Sequence, residues 1–516
     1  MAFLVSFLLL PGGILVWPGV FLACISHRPS VDCVGVDKKG LERPSFHGIT
    51  ALSKRSCIRG KAAFLMTECN QETFAFTAHF SRRVEAAFTA GQVCSDGGSL
   101  LLREADRKIK LLGRLAGCFS DGRSPLLVKH QLSEMLAQRI YGLALGYEDL
   151  NDHEQLRSDP LLALLSGKRD LDEPLAGKST LNRLELAGKT ARYHKIAYSA
   201  EALDRLLADL FIESHATPPS QIVLDLDATD IPIYGHQPER FFHGYYDSYC
   251  YLPLYIFAGD QLLCARLRPA NRDAAAGSVE EVSRIVAQLR KRWPQMKIIL
   301  RADSGFCREE LMGWCEGEEN HVDYAFGLAR NQRLAKIIGA QMHQAHLLHR
   351  TTGKAARVFT EFSYRTKKSW SCARRVVAKA EFLDKGENPR FVVTSLTADE
   401  WAAQQLYEKF YCARGDMENR IKEQMCLFAD RLSTDEMKGN QLRLYFSALA
   451  YTLMEALRRL GLKGTEWAEA QVDTIRLKLL KIGALVRVSV RRVVLQLSSA
   501  YPWKDQYAAA FRALRC

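Results

Sequence analysis

Between Gln221 and Ala329 the order of apolar patterns leaves little freedom in how the chain folds. "QIVLDLDATDIPIYG" alternates as a strand does. "YCYLPLYIFAGDQLLCARLRPAN" is two apolar runs joined at Gly259-Asp260, the pattern of a hairpin. "SVEEVSRIVAQLRKRW" at 278–293 is an amphipathic helix with Ser278 as candidate cap and acids in its first turn. A short buried strand, "KIILRADSGF", a helix, "REELMGWCEGE", and a further strand, "VDYAFGLA", follow. Strand, hairpin, helix, strand, helix, strand predicts a mixed α/β sheet with helices packed against it.

The flanks differ. Residues 96–215 read as helical, and "LVKHQLSEMLAQRIYGLALG" places Val128, Leu132, Met135, Leu136, Ile140 and Leu143 on a 3.6-residue period, with Pro125 in the first turn. We assign 66–215 to a small helical domain, partly basic, that either binds DNA ends or is a helical packing module. "SHATPPS" at 214–220 is a linker. The sheet occupies 221–330, a basic β-rich insertion 331–395, returning helices 396–460 and a basic C-terminal region 461–516. Six basic residues and no acid lie between 474 and 503. "AGKST" at 176–180 is no phosphate loop, since Asp172 stands where a glycine is required.

The first 25 residues carry no charge but are broken by Pro11, Gly12, Gly13, Pro18 and Gly19. We read translation as starting at Met66, with 1–65 a non-native or disordered extension; a signal or membrane anchor and an ordinary tail are the alternatives. The 14 cysteines include no Cys-x-x-Cys and read as reduced thiols of a cytoplasmic protein. A net charge of +13 suggests a polyanionic partner, against a basic enzyme without one.

Three acids stand apart. Asp227 lies on or just past the first strand, with Asp225 on the same face, and Asp303 ends "IILRAD". In "YCARGDMENRIKE" the spacing puts Tyr411, Arg414, Glu418 and Lys422 on one helix face. The bland readings are turn caps at Asp225 or Asp230, an Asx turn at Asp303, and a solvated stripe with a Glu418–Lys422 pair. Acids fed by apolar strands are costly, however, unless exposed, paired or metal-bound. Three convergent carboxylates suit Mg²⁺, and a pair of such ions serves phosphodiester chemistry.

"DAT" at 227–229, "LRADSGF" at 300–306 and "YCARGDMENRIKE" resemble the catalytic blocks of bacterial insertion-sequence transposases of the DDE type, and of the group numbered thirteen-eighty in particular. "FFHGYYDSYCYLPLYIFAGDQLL" and "TIRLKLLKIGALVRVSVRRVVLQLSSAYP" are similar to that group as well. The resemblance implies an RNase H-like fold with a β-rich insertion before the last catalytic helix. It implies Asp227, Asp303 and Glu418 as catalytic, metal-binding residues holding two Mg²⁺ ions, with Mn²⁺ as substitute. It implies double-stranded DNA (terminal inverted repeats and target) as partner, a homodimer on paired ends, no membrane, and a cytoplasmic, nucleoid-associated protein. The superfamily's Tyr-x2-Arg-x3-Glu-x6-Lys signature is matched by Tyr411, Arg414 and Glu418, but Met425 stands at the lysine position and Lys422 is its candidate substitute. Those residues are expected to contact DNA, as is Trp370 in "KKSWSCARR", by stacking on a displaced base. Tyr245, Tyr246, Tyr249, Tyr251 and Tyr255 read as sheet packing. The rival reading is a non-catalytic DNA-binding protein derived from a transposable element.

Overall fold

Alternation along Gln221–Ala228 (β1) sends Ile222, Leu224 and Leu226 into one apolar core and leaves Val223, Asp225 and Asp227 on the opposite face. The computed structural model describes residues 73–186 and 195–515. The segment 1–65 and the start at Met66 lie outside the described residues. The hairpin forms as Leu254–Ala258 (β2) and Gln261–Arg266 (β3) around Gly259, whose φ of +58° suits glycine. Lys297–Ala302 (β4), Val322–Leu328 (β5), Ala356–Tyr364 (β6), Arg374–Leu383 (β7), Gly386–Glu387 (β8) and Arg390–Thr394 (β9) complete a mixed sheet. Its nine strands run in the order β3-β2-β1-β4-β5-β9-β7-β6, with β8 paired to β7. β4 is parallel to β1 and β5, and the other pairings are antiparallel.

Helices Ser278–Arg292 (α1) and Glu309–Glu316 (α2) bury Val282, Ile285, Leu289, Leu311 and Met312 against the Leu224 face. Gly277, with φ +76°, holds the cap position of α1, so Ser278 is its first residue rather than its cap; the Ser278 hydroxyl donates to the Ala275 carbonyl. Helix Gly415–Cys426 (α3) leads to Met437–Leu457 (α4), which is buried along most of its length. Helices Leu100–Ile109, Leu132–Leu145 and Ala200–Glu213 share a core with α4 and with Tyr255 and Phe257 of β2.

The helix expected with Pro125 in its first turn begins at Leu132 instead. Gln131 and Glu134 form its capping box, and Pro125–Leu127 is a separate single turn that leaves Leu126 and Leu127 exposed. Residues 331–395 supply strands β6–β9, which extend the main sheet, and also a helix, Gly339–Thr352, that the sequence reading lacked. Tyr251 and Tyr255 are buried as expected, whereas Tyr245 and Tyr249 are exposed, so packing accounts for only part of that cluster. Cysteines in the described residues are free thiols, and no described helix is long and apolar enough to cross a membrane.

Candidate active site

Register brings the first two acids together. β1 and β4 pair Asp225 with Arg301 and Leu226 with Ala302, so one step further Asp303 leaves β4 beside Asp227. Side chains two apart share a face, so Asp225, Asp227, Arg301 and Asp303 all project to the same side of the sheet. Arg301 grips Asp225 through both carboxylate oxygens at 2.5 and 2.8 Å, with both side chains buried. Its remaining nitrogen donates to the Phe410 carbonyl at 2.5 Å, and its guanidinium lies 5.3 Å from the centre of the Phe410 ring.

That bond fastens the third block to the sheet. The segment is not one α-helix: Leu406–Tyr411 is a π-helix, Cys412–Arg414 a 3-10 turn, and only from Gly415 does α3 proceed regularly. Leu406, Tyr407 and Phe410 of the π-helix pack on Ile299, Ala325, Val377 and Val392, over the acid-bearing face. Widened turns of this kind are frequent at functional sites because they re-aim the residues that follow.

Arg414 is the hub. It donates to Asp227 Oδ2 at 3.2 Å and to Glu418 Oε1 at 2.8 Å, so the two carboxylates lie across the width of one guanidinium. Asp227 Oδ1 accepts from the Ala228 N–H at 2.9 Å. Burial pushes the Asp227 carboxyl up; Arg414 pulls it down and Asp303 and Glu418 push it up again, leaving it at about 6. Burial disfavours the Arg414 charge, but Asp227, Tyr411, Glu418 and Asp303 outweigh this and raise its pKa. Asp227 and Glu418 thus bond to one cation.

Asp303 does make the Asx turn: its Oδ1 accepts from the Gly305 N–H at 2.8 Å, while its second oxygen has no hydrogen bond among the described residues. The Glu418–Lys422 pair does not form, since Glu418 turns back to Arg414 and Lys422 is exposed without an ion-pair partner among the described residues. The Tyr411 hydroxyl seats against Gly327 of β5, where burial pushes it up to about 12. A Cβ on Gly327 would lie 2.5 Å from that hydroxyl and 2.9 Å from the Ser304 nitrogen. Gly327→Ala is therefore expected to cost about 1–3 kcal/mol, as overpacking does; an unchanged urea midpoint would show that Tyr411 is not held there.

Trp370 stands apart from this group. It is 5% exposed, edge-on to Tyr364 with centroids 5.7 Å apart, and Arg374 lies 5.4 Å from its ring centre, so the indole offers no open face to a base. Among the described residues no three His, Cys, Asp or Glu side chains are close enough to share a metal ion, and the positive charge between Asp227 and Glu418 is Arg414. The sequence reading missed Arg301 and Gly327. An arginine inside one apolar strand and an aspartate inside another, "IILRAD" and "IVLDLD", were the available signal.

No curated protein matches the chain. Among solved structures it is similar to a piggyBac transposase in a cryo-EM synaptic complex with hairpin DNA, at 10% identity, over 75% of this chain and 80% of that one, with a TM-score of 0.38. The family model described as "Transposase DDE domain group 1" matches residues 76–516. With a match of that extent, the chain belongs to the DDE-domain transposases of group 1.

Proposed function

We propose that this protein is a DNA transposase of the bacterial insertion-sequence kind, in the group numbered thirteen-eighty, built on an RNase H-like core with Asp227, Asp303 and Glu418 as its catalytic acids. The observation that carries the reading is the β1–β4 register, which sets Asp303 beside Asp227, while Arg414 links Asp227 to Glu418. An all-carboxylate donor set suits a hard divalent cation, which would have to take the place Arg414 holds between Asp227 and Glu418. Asp227, Asp303 and Glu418 would hold two Mg²⁺ ions, or Mn²⁺ in their place, and such ions would supply charge stabilisation for phosphodiester displacement.

The chain's own groups do the remaining work. The exposed Lys422 would hold phosphate oxygens of double-stranded DNA, and Arg414 would offer them its planar fork once freed from Asp227 and Glu418. Arg301 and the Tyr411 seat keep that segment over β1 and β4. Water attacks a phosphodiester at an element end and frees a 3′ hydroxyl. That hydroxyl then attacks a target phosphodiester, exchanging one ester for another without ATP. Paired ends require a homodimer, and the work belongs to cytoplasmic, nucleoid-associated DNA. Trp370 is left out of the proposed contacts because it is buried.

One observation favours a second reading. Arg414 fills the gap between Asp227 and Glu418 and no described metal cluster converges, as expected of a non-catalytic DNA-binding derivative. A plasmid carrying the inverted repeats that flank the coding region separates the two. We expect nicking at the repeat ends with Mg²⁺ or Mn²⁺ and none in EDTA. Binding of the repeats without nicking under either ion would establish the second reading.

A further inference from the structure

The basic tract between 474 and 503 divides in two. Arg476 donates to the Ala144 and Cys426 carbonyls, Lys478 lies over Trp503, and Lys481 pairs with Asp96 across the Tyr147 ring. These three are structural. Arg487, Arg491 and Arg492 have no carboxylate within ion-pair distance among the described residues, and all three are exposed.

Their placement is ordered. Ala484–Ser489 and Arg492–Leu497 form an antiparallel ribbon, with Gln92–Cys94 on the inner edge and Arg492–Leu497 at the outer edge. Register pairs Arg487 with Val494 and Ser489 with Arg492. Alternation then sends Val486, Val493 and Leu495 to the core and turns Arg487 and Arg492 outward on one face. Arg491 sits in the connecting turn beside Val490, which is fully exposed. Arg491 and Arg492 line an open cleft with Glu134, Asp170, Asp172 and Glu173 but pair with none of them, and arginines left unpaired on a two-stranded ribbon complement a polyanion with closely spaced charges. A ribbon of this size also fits the major groove of duplex DNA.

We infer that the 484–497 hairpin is a duplex-DNA docking element, in which Arg487, Arg491 and Arg492 contact backbone phosphates. The inference rests on the proposed transposase function but concerns a surface separate from the acids. Arginine on an edge strand also deters strand-to-strand aggregation, which is the competing explanation.

The test uses the full-length protein and a fluorescently labelled mixed-sequence duplex, with affinity measured by anisotropy across a salt series. Each phosphate contact contributes a slope of about 0.9 in log K against log salt. The triple variant R487A/R491A/R492A is expected to lose roughly tenfold or more in affinity and about 2–3 from that slope. The matching triple lysine variant is expected to keep the slope. An alanine variant whose monomer binds with wild-type affinity and slope overturns the inference, and self-association of that variant on a sizing column would then assign the arginines to edge protection. Wild-type protein that fails to bind duplex at any salt defeats the transposase reading itself, so the two failures are distinct.

Discussion

Asp303→Asn is expected to abolish DNA cleavage while leaving the fold and DNA binding in place. The substitution suits this site because Asp303 already accepts the Gly305 N–H in an Asx turn, and asparagine makes the same turn with its side-chain oxygen. The neutral amide keeps the shape and removes the charge. Charge stabilisation by bound ions contributes several kcal/mol to such displacements, and each ~1.4 kcal/mol is tenfold, so the rate should fall by about 10²-fold or more. A urea midpoint matching wild type would accompany that loss. Asp303→Ala, which breaks the turn as well, should lose stability in addition. Cleavage by Asp303→Asn at the wild-type rate would reduce Asp303 to a turn former, and the proposed triad with it.

Arg301→Met is expected to cost about 3–5 kcal/mol of stability, the usual penalty for stranding one member of a buried ion pair. The carboxylate left behind, Asp225, is buried, and burial already raises its pKa against the opposing pull of Arg301. Without Arg301 that carboxyl rises further. A group raised in the folded state contributes stability at low pH that disappears as pH climbs through its folded pKa. The variant should therefore be most compromised near neutrality and recover on acidification. Adding Asp225→Leu removes the stranded charge, and replacing both partners with apolar groups is often close to neutral. The double variant should regain most of its stability yet cleave poorly, because the Phe410 carbonyl has lost its donor and the segment carrying Arg414 and Glu418 is no longer fastened to β4. Urea unfolding at several pH values and cleavage assays read the two effects separately. A wild-type midpoint for the single variant would mean the pair is not buried as charge.

The sheet was largely readable in the sequence because its strands alternate or run apolar between turn residues, and Gly259-Asp260 marks the hairpin. The third block reads in sequence as one helix carrying a charged stripe, but it is not a continuous α-helix. Residue spacing carries no mark of the shift from π to 3-10 to α pitch, which packing of Leu406, Tyr407 and Phe410 imposes. Helix Gly339–Thr352 escaped notice because its exposed Leu347 and Leu348 blur any single apolar stripe. Trp370, in a basic run, looks solvent-facing in sequence; Arg374, ion-paired to Glu309 and Glu316, folds over it. Charge near an aromatic residue says nothing about which partner it takes.

The β1–β4 register has a further consequence for assembly. A slip of one residue would turn Asp225 and Arg301 to opposite sides of the sheet and bury both charges alone, a mistake too expensive to persist. The same slip would part Asp227 from Asp303. A mis-threaded molecule is thus discarded at folding, and those that survive have their acids aligned before any substrate arrives.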